Sequence, residues 1–289
     1  MQDPSKPIWF KTETNDFTKN LKDPEIKIYV ATPVHSEVSM HYTQALLKFQ
    51  QACMMNGILV SFALLKSSLV TQGRNLCVAN YLNDQIKYTH LLFIDSDIDF
   101  TFNTISKMLS FDKEVISCAY PMKHIHWEQI WERLKLGKIK TQEELSRAGF
   151  IYPVKMENLI KNNTKEITVK DGLIEVSHAP TGCMLIKRQV FDKMIAAYPN
   201  DKINQDTIIN GEAKNHPFMY NFFDTIHDPE TKKYYGEDFG FCRKWTAIGG
   251  KCYCYIDDLI SHVGEYQYKG KLKDNLEFVK TVDDSNKTK

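Results

Sequence analysis

The chain has 289 residues, of which 43% are hydrophobic, enough for a sizeable core in one large α/β domain or two small ones. Its 37 Lys and Arg nearly cancel its 36 Asp and Glu, so no summed positive field draws it to nucleic acid or to an anionic membrane. No apolar run approaches the ~18 to 20 residues that span a bilayer, and residues 1–22 are too polar for a signal peptide.

Repeated strand and helix signals begin at Ile26. The apolar run Ile28-Tyr29-Val30-Ala31, stopped by Thr32-Pro33, reads as a buried strand ending in a loop. From Ser39 to Asn56, Tyr42, Ala45, Leu46, Phe49, Ala52 and Cys53 share a helical face, and Asn56-Gly57 ends it. A second apolar run, Ile58 to Leu65, precedes a helix marked by Leu76, Ala79, Leu82 and Ile86. The third strand, Leu91 to Ile94, runs into Asp95-Ser96-Asp97; a helix near Phe102 to Leu109 and a fourth strand, Val115 to Ala119, follow. Such alternation implies a mostly parallel sheet that binds ligands beyond the carboxyl ends of its strands.

Beyond Lys123 the pattern loosens. His124 to Gly149 reads as an excursion with a helix around Gln142 to Arg147, and Ile167 to Ile186 as a hairpin turning at Asp171-Gly172. A helix from Arg188 to Tyr198, an irregular stretch to Tyr234, a helix from Glu237, a strand from Lys251 to Ile256 and a polar tail complete the chain. The seven cysteines are odd in number, dispersed and without a C-x-x-C pair, which suits buried thiols in a reducing compartment. Cytoplasmic location is the expectation, and there the sequons at Asn162 and Asn286 carry no meaning.

Three constellations carry chemistry. Asp95, Asp97 and Asp99 follow a hydrophobic strand at alternate positions, concentrating charge where a hard divalent cation and phosphate oxygens can complete an oxygen shell; an acidic turn capping the strand is the plain alternative. A calcium loop starting at Asp95 needs Gly and Glu where Phe100 and Ser106 stand, so that reading fails. Tyr235-Gly236-Glu237-Asp238-Phe239 opens a helix with two acids, which is also ordinary complementation of the helix dipole. The third is His262, after a strand and a short acidic turn.

On these motifs the chain resembles GT-A-type glycosyltransferases, over most of Ile26 to about Lys271, and in texture the small transferases of large algal viruses. The resemblance implies a single-domain α/β fold, Rossmann-like, with a mostly parallel central sheet flanked by helices and a smaller mixed sheet in the second half. Residues 1–22 would be an N-terminal extension, 23–278 the transferase domain and 279–289 a disordered tail; 23–123 would bind the nucleotide and 124–278 the acceptor. It implies Mn²⁺ or Mg²⁺ held by Asp95, Asp97 and His262 against the diphosphate of a UDP-sugar. The donor would also meet Thr32, Pro33 and Val34 after the first strand, Arg74 and Asn75 at a helix start, Ser96 between the two aspartates, Thr181 and Gly182 beneath the sugar, and Lys269, or Lys271, closing over the leaving group. An Arg near a helix N-terminus suits a diphosphate, although a solvated surface charge fits the sequence equally.

In inverting members of that family an x-E-D acid removes the acceptor proton, which makes Asp238 the general base, with Glu237 orienting the acceptor or serving instead. The expected activity is therefore transfer from a UDP-sugar, with xylose ahead of glucose or galactose, to a glycan hydroxyl, in the host cytoplasm if the protein is viral. The aromatic stretch Phe218 to Asp224 is the expected acceptor platform. Two rivals remain. A haloacid-dehalogenase-like phosphatase also carries D-x-D after an apolar strand, with Asp257-Asp258 as its distal pair, but its motif follows the first strand, whereas here two βα units come before. A non-catalytic sugar-nucleotide or glycan-binding module is the other.

Overall fold

The computed structural model describes residues 9–13, 26–156, 166–209 and 212–266. Lys269, Lys271, Asn162 and the 279–289 tail lie outside the described residues.

In chain order the elements are β1 (Trp9–Glu13), β2 (Lys27–Val34), α1 (Met40–Met55), β3 (Leu59–Lys66), α2 (Val70–Asn83), β4 (His90–Ile94), the short β5 (Ile98–Asp99), α3 (Phe102–Ser110) and β6 (Val115–Cys118). The excursion carries α4 (Trp127–Lys135) and α5 (Gln142–Arg147), and β7 (Glu166–Lys170), β8 (Leu173–Val176), β9 (Cys183–Lys187) and α6 (Arg188–Ala197) follow. Two hairpins come next, β10 (Asp206–Ile209) with β11 (Glu212–Asn215) and β12 (Ile226–His227) with β13 (Tyr234–Tyr235). Then come α7 (Glu237–Ala247), β14 (Cys252–Tyr255) and β15 (Ser261–His262).

Nine described strands form one mixed sheet in the order β1-β7-β8-β14-β6-β9-β4-β2-β3. Pairing is parallel for β3, β2 and β4, for β6 and β14, and for β7 and β1; β9 and β8 run against their neighbours. The strands of the second half extend the same sheet, and the smaller sheets are two-stranded pairs. The chain is therefore α/β, with a mostly parallel central sheet flanked by helices. Among the described residues no helix is long and apolar enough to cross a membrane.

The apolar runs are continuous because both faces of the sheet are covered. Tyr29, Ala31, Leu91, Phe93, Met184 and Ile186 face one cluster, with α2, α6 and α7 supplying Tyr81, Phe191, Phe241 and Trp245. Ile28, Val30, Leu92, Ile94, Cys183 and Leu185 face the other, with α1 and α3 supplying Tyr42, Phe49, Ile105 and Met108. All seven cysteines are free and buried in these layers.

Local chemistry explains the boundaries. The Ser39 hydroxyl accepts the Tyr42 N–H at the start of α1, and Thr101 does the same for Thr104 at the start of α3. Asp171 and Gly172 both take positive φ, the geometry of a tight two-residue turn between β7 and β8. That hairpin ends at Val176; β9 is a separate strand between β4 and β6, so the expectation of one hairpin to Ile186 is corrected. Helix α2 begins at Val70 and stops at Asn83, short of Ile86. No side chain caps its N-terminus, so the sequence carried no start signal there. Within the N-terminal extension, Trp9–Glu13 form β1 at the edge of the sheet.

Gly240, on α7, fixes how closely that helix approaches the 221–224 segment, because a Cβ there would stand 2.0 Å from the Asp224 carbonyl oxygen. Ala in an open helix position gains about 1 kcal/mol over Gly, whereas forcing the backbone apart costs about 1 to 3 kcal/mol. The clash decides the sign. Gly240→Ala should lower the urea midpoint of unfolding, and an unchanged or raised midpoint would disprove the close approach.

Candidate active site

The carboxyl ends of β2, β3 and β4 open onto a cavity of about 460 Å³, lined by Pro33, Val34, His35, Ser67 to Val70, Arg74, Asp95, Ser96, Asp97 and His262. The strand β4 ends at Ile94, and the Ile98 N–H donates to the Asp95 carbonyl, so residues 95 to 98 form a turn. The alternate-face argument for the aspartates therefore fails. Asp95 and Asp97 face different partners.

Arg74 is the centre of the first group. It lies in the second turn of α2 rather than at its start, and it is only 2% exposed. Its Nη2 donates to both Asp95 oxygens at 3.0 and 3.2 Å, and its Nε to Glu237 at 3.0 Å. Burial opposes its charge, but Asp95 and Glu237 outweigh that and hold the guanidinium protonated. Among the described residues Nη1 has no acceptor.

Glu237 is thus committed to Arg74, and Asp238 is not. Burial, reinforced by the charge of Glu237, raises the Asp238 carboxyl to about 6 against the N–H of Phe239 and the charge of Arg74, which lower it. A carboxylate poised there can accept a proton near neutral pH.

Asp97 belongs to a second group. Its Oδ2 receives the Lys123 ammonium at 2.5 Å, and its Oδ1 lies 3.5 Å from His262 Nε2. Burial alone would raise its carboxyl, yet hydrogen bonds and charge from His262 and Lys123 prevail and hold it at about 2. His262 arrives by backbone pairing: β15 lies antiparallel to β5, with His262 opposite Ile98, and the Val263 N–H donates to the Asp97 carbonyl. The His262 Nδ1 stands 2.9 Å from the Pro121 carbonyl, which can only accept, so Nδ1 carries the hydrogen. Nε2 is left facing the Asp97 carboxylate.

Of the residues expected to hold a divalent cation, Asp97 already receives the Lys123 ammonium. Among the described residues no group of three or more His, Cys, Asp or Glu side chains is gathered closely enough to hold a metal ion. Of the three expected ligands, Asp97 and His262 face one another, while Asp95 is turned to Arg74.

Other expected donor contacts divide. Pro33, Val34 and Ser96 line the cavity. Thr32 is buried with its hydroxyl 2.6 Å from that of Tyr42, so its side chain serves the interior. Asn75 is also corrected: its amide bonds the Phe223 backbone in both directions and Asn221, tying α2 to that segment instead of facing the cavity. Thr181 is buried, and the Gly182 carbonyl receives the Asp95 N–H. A Cβ on Gly182 would meet the Tyr120 hydroxyl at 2.5 Å. The Phe218 to Asp224 stretch does not form a platform, since Phe222 and Phe223 are buried in the core.

The sequence reading missed Tyr120 and Lys123. The Tyr120 hydroxyl accepts the Gly182 N–H, and burial, then the charge of Asp95, pushes its phenol up. Its ring meets the edge of His262 at 5.3 Å. Both residues follow β6, at a strand end facing the acids, and that position was the available signal.

The Asp238 shift sets a stability test. A carboxyl raised in the folded state from 3.8 to about 6 favours folding below its unfolded value and loses that contribution as pH climbs through about 6. At pH 8 the ionised form should burden the folded protein by roughly 3 kcal/mol. Asp238→Asn should therefore unfold at a higher temperature than the parent at pH 8, with the gap closing near pH 4. A gap independent of pH would refute the assignment.

No protein-family model matches the chain, and no curated protein matches its sequence. Among solved structures it is similar to A197 from STIV, at 14% identity and a TM-score of 0.40, over 85% of this chain and 98% of that one. It is similar to a glycosyltransferase involved in the glycosylation of the major capsid of PBCV-1, at 8% identity and a TM-score of 0.30, over 60% of this chain and 66% of that one. A third similar structure is the 4-diphosphocytidyl-2C-methyl-D-erythritol synthase of Anaerococcus prevotii, at 9% identity and a TM-score of 0.32, over 63% of this chain and 80% of that one.

Proposed function

We propose that the chain transfers a glycosyl group from a nucleoside diphosphate sugar, a UDP-sugar, to a hydroxyl of a glycan, with inversion. The observation that carries this is the meeting at Arg74 of Asp95, from the end of β4, with Glu237, from the start of α7. That meeting sets a buried cation in the wall of the strand-end cavity, and Asp238, next to Glu237 in α7, feels the charge of the same group.

In this reading the loops after β2 and β3 receive the nucleotide, and Arg74 sets a positive charge beside the diphosphate. Mn²⁺ or Mg²⁺ held by Asp97 and His262 would neutralise charge on the departing diphosphate. Asp238 takes the proton of the acceptor hydroxyl while that oxygen bonds the anomeric carbon and the bond to the diphosphate breaks. Glu237 keeps Arg74 in place and is not the base. Against the phosphatase alternative, both Asp95 oxygens are engaged by Arg74, which leaves that carboxylate poorly placed as a nucleophile.

The test combines binding with turnover. UDP with Mn²⁺ at a hundredfold excess over Kd should stabilise the protein by ~2.7 kcal/mol, read as a rise in melting temperature. Asp238→Asn should keep that rise and lose about 10²- to 10⁴-fold in transfer or donor hydrolysis. Full turnover in the variant, or no stabilisation by any nucleotide sugar, sinks the proposal.

A further inference from the structure

A second cavity, of about 560 Å³, has no occupant in the reaction as drawn so far. It lies between the 119–127 segment, residues 147–152 and the 258–266 segment. Trp127, Phe150, Tyr152 and Tyr266 give it aromatic walls, while Arg147, Asp258 and Glu265 bring a guanidinium and two carboxylates to the same space.

Its position ties it to the first cavity. His262 lines both. Lys123 lines this cavity and pairs with Asp97, which lines the other.

The helix behind it is otherwise unexplained. On α4 no residue is buried, and Trp127 is 61% exposed. That exposed indole lines the cavity together with Phe150, Tyr152 and Tyr266.

We infer that this cavity binds the acceptor, as a pyranose ring at the end of an oligosaccharide. A pyranose has an apolar face of C–H groups that lies against aromatic rings, and a rim of hydroxyls that both donate and accept. The rings and the mixed charges here meet those needs together. An aliphatic chain would leave the guanidinium and the carboxylates facing hydrocarbon. Arg147 is held in position by Glu143 at 2.8 Å. The inference rests on the transfer reaction proposed above and assigns its acceptor to the 124–152 excursion, in place of Phe218 to Asp224.

The test uses the full chain on an array of mono- to tetrasaccharides, then kinetics with the best-retained saccharide. Trp127→Ala and Tyr152→Ala alter exposed side chains, Tyr152 being 45% exposed, and leave the core intact. Each should weaken saccharide binding and raise KM for that acceptor by about tenfold, while UDP affinity and donor hydrolysis without acceptor stay at the parent values. Trp127→Phe, which keeps a ring, should restore most of the affinity. Parental saccharide affinity in both Ala variants, or an array that retains nothing while donor hydrolysis persists, overturns this inference alone. Absence of both nucleotide binding and donor hydrolysis in the parent overturns the transferase reading and this inference with it.

Discussion

A single buried guanidinium organises the site. Taking Arg74 out of water is unfavourable unless its charge is met, and the fold meets it with Asp95 and Glu237 while stacking it over Phe93 at 5.2 Å. Removing one member of such a buried group costs about 3 to 5 kcal/mol, because the others are left uncompensated. The end of β4, the second turn of α2 and the first turn of α7 are therefore fixed relative to one another by charge as well as by packing. Once Glu237 is bound in this way, Asp238 is the acid of that pair that makes no ion pair among the described residues.

From that arrangement two aspartates acquire opposite character. Asp97 sits among Lys123 and His262 and is held at about 2; Asp238, buried beside another carboxylate, is held at about 6. Divergence of this kind separates a group that stays charged from one that can gain and lose a proton near neutrality. Tyr120 stands between the two environments, with its ring against His262 and its hydroxyl on Gly182.

The sheet was legible in the sequence because burial on both faces leaves continuous apolar runs, as in Leu91 to Ile94, and because Ser39 and Thr101 cap their helices with local hydrogen bonds. Helix α4 was also readable, since Trp127, Ile130, Trp131 and Leu134 recur at helical spacing, but the only helix expected in that excursion was the one around Gln142 to Arg147. Strand β1 was not readable, since a polar segment gains its pairing from an edge formed far along the chain. In the site, the strand-end placement of Asp95 followed from pattern alone. The pairing of β15 with β5 and the capture of Asn75 by Phe223 are contacts between distant segments, and no local spacing encodes them.

The position of β9 has a consequence for how the chain reaches this state. It lies between β4 and β6, although it follows both in sequence, and β14 adds to the far side of β6 later still. During synthesis the first βα units emerge with the central slot of their sheet vacant, and the apolar edges of β4 and β6 await a strand made many residues afterwards. Such non-local closure slows folding and prolongs the exposure of sticky intermediates. The nascent chain should accordingly depend on chaperones until residue 187 has cleared the ribosome.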